Sequence, residues 1–244
     1  MNRIELVEAL IKQKNYNNYL EIGVKGGESF YPVVCKNKVA VDPNFAIPFY
    51  RKLIWTSKNP TNKNNILIEK TSDDFFEQDA PSIYKNTDLD ISFVDGMHSF
   101  EAALLDVLNS LKYLSNGGII VMHDCMPVHK AAETPIDDFI NEKNMFKAMK
   151  KVIPGWTGEW NGDVWKAVYY LRVNHSDLLD SFVFDSDFGL GIVKPKSDGK
   201  LNLDINQESF NKIRKMTYDD LIKDPENIIG LTKPSKMNQY VKSL

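Results

Sequence analysis

Two stretches of this chain bring acids and histidines to the ends of apolar runs. The first is Val94-Asp95-Gly96-Met97-His98-Ser99-Phe100-Glu101, and the second is Gly117-Gly118-Ile119-Ile120-Val121-Met122-His123-Asp124. If both runs are strands that leave one sheet at the same edge, Asp95, His98, His123 and Asp124 converge. Two acids and two histidines in one place suit a divalent cation, or supply a general base. His98 is the first candidate base and His123 the second. For His98, bracing its own loop or capping the next helix is an equally open reading.

A third stretch, Tyr19-Leu20-Glu21-Ile22-Gly23-Val24-Lys25-Gly26-Gly27-Glu28-Ser29, reads as a strand entering a tight turn and then a helix. Gly23, Gly26 and Gly27 permit positive φ and close approach of a ligand, and a new helix offers free N–H groups to it. The spacing is Glu-x-Gly-x-x-x-Gly, which departs from the Gly-x-Gly-x-x-Gly of a dinucleotide site. Glu21 on the loop disfavours an anion and suits a cation. Asp42 ends the next apolar run about 20 residues further on, where an acid can accept both hydroxyls of a ribose. Asp73 follows the third run and is placed to meet the exocyclic amine of an adenine.

These residues need a scaffold that aligns strand ends. Ile4, Val7, Leu10 and Ile11 recur at helical spacing, so an amphipathic helix opens the chain. Strands are predicted at residues 18–23, 38–42, 66–68, 90–95 and 119–122. Thr71 to Asp74 reads as a helix start. Ser99 is a cap for a helix whose stripe is Leu104, Val107, Leu108 and Leu111, with Gly117-Gly118 as its end. Alternating strands and helices imply a parallel, doubly wound sheet with ligands at one edge. Later come predicted helices over Thr134–Val152 and Asp163–Arg172, then two apolar runs, 182–184 and 190–193, spaced as an antiparallel hairpin. The chain divides into a domain over 1–195, with an acceptor-side insertion at about 126–172, and a C-terminal extension over 196–244. No internal repeat is visible.

Glycine loop, Asp42 and Asp95, in this order, resemble the class I S-adenosylmethionine-dependent methyltransferases. That resemblance implies a Rossmann-like α/β fold: a doubly wound seven-stranded sheet, order 3-2-1-4-5-7-6, strand 7 antiparallel, helices on both faces. It implies that Glu21, Gly23, Gly26 and Gly27 face the methionine end of the cofactor, that Asp42 holds its ribose, and that Asp73 and Asp95 complete the site. The two His/Asp stretches narrow the resemblance to the macrocin-type sugar O-methyltransferases and cephalosporin-hydroxylase-like proteins. Those place magnesium on the strand 4 acid and a strand 5 acidic pair. By position the ligands here are Asp95, His123 and Asp124, with histidine standing where an acid is common; histidine suits a softer divalent metal. The resemblance spans about residues 15–130.

On the acceptor side, three tryptophans fall within Trp156–Trp165, among glycines and polar residues. Trp156, Trp160 and Asp163 suit a carbohydrate ring, which needs stacking and hydroxyl partners; Trp165 reads as core. The expected reaction is methyl transfer from S-adenosylmethionine to a hydroxyl of a sugar or other small molecule. Two rivals are a cofactor-binding regulatory or scaffold protein, and a metal-dependent enzyme of other chemistry on the same fold.

Bulk properties bound the rest. The chain has 244 residues, 43% of them hydrophobic and 26% charged, enough for one well-cored α/β domain with additions. A net charge of −3 gives no global argument for nucleic acid or membrane partners, though it leaves room for a local basic patch. Two cysteines outside any CxxC pair make a structural zinc site or disulfide framework unexpected. With no signal-peptide core at the N-terminus, a cytoplasmic protein is expected, and a homo-oligomer is compatible with all of this.

Overall fold

The computed structural model describes residues 1–136, 139 and 144–244. The chain opens with α1 (Arg3–Lys14), started by a capping box in which Asn2 and Glu5 satisfy each other's backbone N–H groups. Its buried stripe is Leu6, Val7, Leu10 and Ile11. Then follow β1 (Asn18–Ile22), β2 (Asn37–Val41), α2 (Phe49–Lys58), β3 (Ile66–Ile68), α3 (Ser72–Gln78), α4 (Ala80–Ile83), β4 (Leu89–Val94), α5 (Phe100–Leu111) and β5 (Leu114–Met122). After these come α6 (Met145–Val152), α7 (Trp165–Asn174), β6 (Leu179–Phe184) and β7 (Leu190–Pro195). Four short helices close the chain: α8 (Gln207–Arg214), α9 (Tyr218–Leu221), α10 (Pro225–Ile229) and α11 (Met237–Lys242).

The described strands form one sheet of order β3-β2-β1-β4-β5-β7-β6. β1 to β5 pair in parallel, while β7 runs antiparallel to both β5 and β6. The central strands are buried on both faces, which explains their unbroken apolar runs. One face packs under α3, α5 and α7, and the other under α1 and α11. The C-terminal extension adds buried side chains to both cores: Phe210, Ile213, Leu221 and Ile229 to one, Met237 and Val241 to the other. All five parallel strands end at one edge, which is where the ligand loops lie.

Three sequence expectations change. The predicted helix over Thr134–Val152 is only α6 within the described residues; a 3₁₀ turn occupies Lys130–Glu133, and the expected span includes residues 137, 138 and 140–143, outside the described set. Gly117-Gly118 does not end α5. That helix stops at Leu111, and the pair sits inside β5, where Gly117 takes a φ of 74° and the pairing with β4 slips in register. A helix, α2, occupies a stretch that had no predicted element.

Gly23 fixes how the first ligand loop meets the fourth. Its φ is 85°, and a Cβ there would lie 2.0 Å from the Asp95 carbonyl oxygen. Gly23→Ala therefore combines left-handed strain with a backbone clash and is expected to destabilise the fold by at least about 2 kcal/mol. A lowered midpoint in chemical denaturation measures it; a wild-type midpoint would mean the two loops are free to part.

Candidate active site

A cavity of about 1090 Å³ runs along the sheet edge. Its wall takes Gly23, Lys25 and Ser29 from the loop after β1, Asp42 from the end of β2, Asp73 from α3, and Asp95, His98, His123 and Asp124 from the loops after β4 and β5. Trp160, Phe146 and Phe188 close its other side. The positions that sequence reasoning singled out thus fall into two sets, one on the wall and one behind it.

At the β2 end, Asp42 accepts from the Lys25 N–H (2.7 Å) and the Asn44 N–H (2.8 Å), so the carboxylate ties the glycine loop to the turn after β2. Thr71 caps α3 by accepting from the Asp74 N–H, which sets Asp73 in its first turn. Glu21 lies beneath the loop and not on the wall. It is fully buried, accepting from the hydroxyls of Tyr19 and of Ser29 (2.5 Å). Burial outweighs those hydrogen bonds and raises its pKa to about 7. The expected loop cation contact at Glu21 is therefore replaced by a buried carboxyl that props the turn. Gly26 and Gly27 also sit behind the wall: Gly26 gives its carbonyl to Arg51 (2.6 Å), and a Cβ on Gly27 would strike the Tyr31 ring at 2.6 Å.

At the β4 and β5 ends the acids and histidines do meet. His98 Nε2 lies 3.4 Å from Asp95 Oδ1 and 3.2 Å from Asp124 Oδ2. His123 Nδ1 lies 2.9 Å from Asp124 Oδ2 and 3.3 Å from Asp95 Oδ1. Burial alone would lower both imidazoles. The Asp95 and Asp124 carboxylates raise His98, and those of Asp124, Asp187 and Asp95 push His123 up to about 11. Asp95 is correspondingly held well below the usual carboxylate range: burial opposes this, but His123 and His98 outweigh it. His98 Nδ1 donates to the Trp160 carbonyl (3.3 Å), and its ring stacks on the Trp160 indole at 4.9 Å. Bracing and chemistry are thus both built into His98.

Asp95, His98 and Asp124 offer ligand atoms within 4.8 Å of one another. His123, expected as a ligand, points Nδ1 at the two carboxylates and leaves its buried Nε2 without a hydrogen bond, 3.8 Å from Asp187. Asp95, His98 and Asp124 make a donor set of one imidazole nitrogen and two carboxylates, and His123 Nδ1 faces the same two carboxylates. Two oxygens and a nitrogen accommodate magnesium or a softer ion.

Several residues here escaped the sequence reading. Arg3, at the start of α1, donates from Nη1 to Asp95 Oδ2 (3.2 Å) and pairs through Nε with Asp187 (3.2 Å). Asp187, in the β6–β7 turn, also accepts from the Arg3 N–H (2.8 Å). Asn161 donates to Asp124 Oδ1 (2.6 Å). Asp106 faces the cavity near Asp73 with a buried Oδ1 that has no partner among the described residues. Burial raises it to about 7. An acid beside the apolar stripe of α5 was its one visible signal.

The acceptor-side expectations also divide. Trp160 lines the cavity and donates from Nε1 to the Thr134 carbonyl (2.8 Å), whereas Trp156 stands behind Phe146, ring to ring at 6.1 Å. Asp163, expected to meet substrate, is turned away: it accepts from the Phe100 N–H (2.7 Å) at the start of α5 and from Lys166 (3.0 Å). It is a structural cap.

Residues 20–125, which hold the glycine loop, Asp42, Asp95 and the His123-Asp124 pair, match a family model described as a methyltransferase domain. That stretch, less than half of the chain, is similar to methyltransferase domains. Solved structures agree in fold. A protein described as a caffeoyl-CoA O-methyltransferase from Staphylococcus aureus aligns at a TM-score of 0.52 and 16% identity, over 79% of this chain and 82% of that one. Cofactor-bound Rv0187 from MTB aligns at 0.54 and 11%, over 81% and 82%. TomG from Streptomyces achromogenes, an O-methyltransferase of tomaymycin synthesis solved with S-adenosylmethionine, aligns at 0.50 and 14%, over 81% and 80%. No curated protein sequence matches the chain.

Its burial makes Glu21 a testable proton site. Its folded pKa of about 7 lies above the ordinary 4.5, so its contribution to stability is complete below about pH 4.5 and fades as pH rises through about 7. The stability difference between wild type and Glu21→Gln, from urea titrations, is expected to fall by up to about 3 kcal/mol across that window. A pH-independent difference would mean Glu21 titrates normally.

Proposed function

We propose that this methyltransferase domain moves the methyl group of S-adenosylmethionine to a hydroxyl of a small or sugar-containing acceptor, at the group formed by Asp95, His98 and Asp124. The observation that carries this reading is placement: that group lies on the same cavity wall as Asp42 and Asp73. Donor and acceptor sites are therefore continuous. O-Methyl transfer is also the activity named for TomG and for the Staphylococcus aureus protein.

The cofactor supplies a methyl already activated on a sulfonium sulfur. Asp42 fits its ribose, and the unpartnered Asp106 Oδ1 with Asp73 fits the amine edge of its adenine. What the chain must add is position. Trp160 and Phe146 form the wall against which an acceptor ring is held, and closing that side excludes water. In-line positioning of this kind contributes on the order of 7–11 kcal/mol. A neutral hydroxyl must also lose a proton. His98 Nε2 lies at the carboxylate pair; as a neutral imidazole it would receive that proton, or with Asp95 and Asp124 it would hold a divalent cation, which would make the hydroxyl more acidic.

Calorimetric titration with S-adenosylhomocysteine is expected to give micromolar binding, weakened at least tenfold in Asp42→Ala. Asp124→Asn is expected to keep that binding and to lose roughly 10²–10⁴-fold in methyl transfer to a hydroxylated acceptor. Wild-type protein that does not bind the product would sink the cofactor assignment. Equal transfer rates for Asp124→Asn and wild type would remove the acidic group from the reaction.

A further inference from the structure

α2 is built inside out. At 100° per residue, Phe49, Leu53, Tyr50 and Ile54 share one arc of ~140° interrupted only by Ser57, with Lys58 beyond one edge and Lys52, past Thr56, beyond the other. That arc faces solvent: the four side chains are 74, 56, 62 and 49% exposed, and none of the ten residues of α2 is buried. The opposite side holds the helix to the protein. Trp55 packs against the core beneath α1. Its carbonyl accepts from the Asn59 N–H (2.7 Å) and from Asn62 Nδ2 (3.2 Å). Arg51 donates to the Gly26 carbonyl and pairs with Glu28. The rotation of α2 is therefore fixed with its apolar face outward.

Charge identifies what covers that face. α2 contains Arg51, Lys52 and Lys58 and no acid. From Lys25 to Lys63, setting aside the buried Lys38 and the Arg51–Glu28 pair, five lysines stand against one acid, Asp42, in a protein whose net charge is −3. A second copy of the face would bring the same basic rims together. The four side chains also offer only on the order of 450 Å², about half of what each partner gives in a stable complex. An apolar arc rimmed by lysines matches an anionic lipid surface, where the rings and aliphatic chains enter the acyl boundary and the lysines reach the headgroups. Among the described residues no helix is long and apolar enough to cross a membrane, so the contact is peripheral.

We propose that α2 docks this methyltransferase domain onto anionic lipid membranes through Phe49, Tyr50, Leu53 and Ile54, with Lys52 and Lys58 at the headgroups. The proposal is independent of which acceptor is methylated. It is tested by sedimenting the full chain with vesicles of phosphatidylcholine containing about one-third phosphatidylglycerol, and with phosphatidylcholine alone, at about 0.1 M and about 0.5 M salt. Binding to the anionic vesicles is expected, at least tenfold weaker on the neutral ones and weakened by salt. Leu53→Glu and Ile54→Glu, at side chains exposed on the outer face of α2, are expected to abolish it while leaving S-adenosylhomocysteine binding unchanged. No sedimentation of wild type with anionic vesicles overturns the proposal. So does a dimer in analytical ultracentrifugation that Leu53→Glu converts to monomer, which would give the face to a second copy.

Discussion

Three carboxylates share the edge of this sheet with two imidazoles and one guanidinium, and each carboxylate depends on a proton or a positive charge held close to it. Asp95, Asp124 and Asp187 face His98, His123 and Arg3 at distances between 2.8 and 3.8 Å. A charge removed from water costs several kcal/mol unless a partner is close. Each of the six therefore needs the others, and they come from four places: the start of α1, the loops after β4 and β5, and the β6–β7 turn. The backbone accepts strain to hold them. His98, Asp124 and Asp187 take φ values of 54°, 59° and 49°, left-handed positions that cost non-glycine residues on the order of 1–3 kcal/mol each. Packing elsewhere must offset that strain.

A second population of acids follows the opposite logic. Burial is the largest influence on Glu21 and Asp106 and raises both to about 7, in spite of hydrogen bonds from Tyr19 and Ser29 to the one and from Ser72 to the other. Acids are thus sorted by environment: Asp95 and Asp187 are lowered by histidine and arginine partners, and Glu21 and Asp106 are raised by burial. The lowered set lies at the β4 end and in the β6–β7 turn. The raised set lies under the loop after β1 and on α5 beside Asp73.

Which of this could be read from the sequence depended on range. The strand ends at Asp42, Asp95 and Asp124 were legible because each sits at a sharp boundary between an apolar run and a turn. Thr71 and Ser99 announced their helices by capping chemistry. Arg3 and Asp187 were not legible: their partners lie 92 and 184 residues away, and neither has a local pattern. His123 was placed as a ligand by analogy of position; the structure turns both imidazoles onto the same two carboxylates and groups His98 with them, a convergence no sequence states. Gly117-Gly118 looked like a helix stop because strand irregularities and helix ends use the same residue. α2 exposes a further ambiguity. Its amphipathic pattern is plain, but a pattern says only that two faces differ, not which one meets the core.

The segment that walls the acceptor end is fastened and free in alternate places. A Cβ on Gly162 would lie 1.8 Å from the His98 carbonyl, Asn161 holds Asp124, and Asp163 caps α5. A few residues earlier, Gly155 and Gly158 have nothing within 4 Å of where a Cβ would stand. Crowding at 161–163 would therefore be felt at once by Asp124, by His98 and by the start of α5, whereas bulk at positions 155 and 158 would meet no neighbour. One short segment thus carries two very different steric constraints.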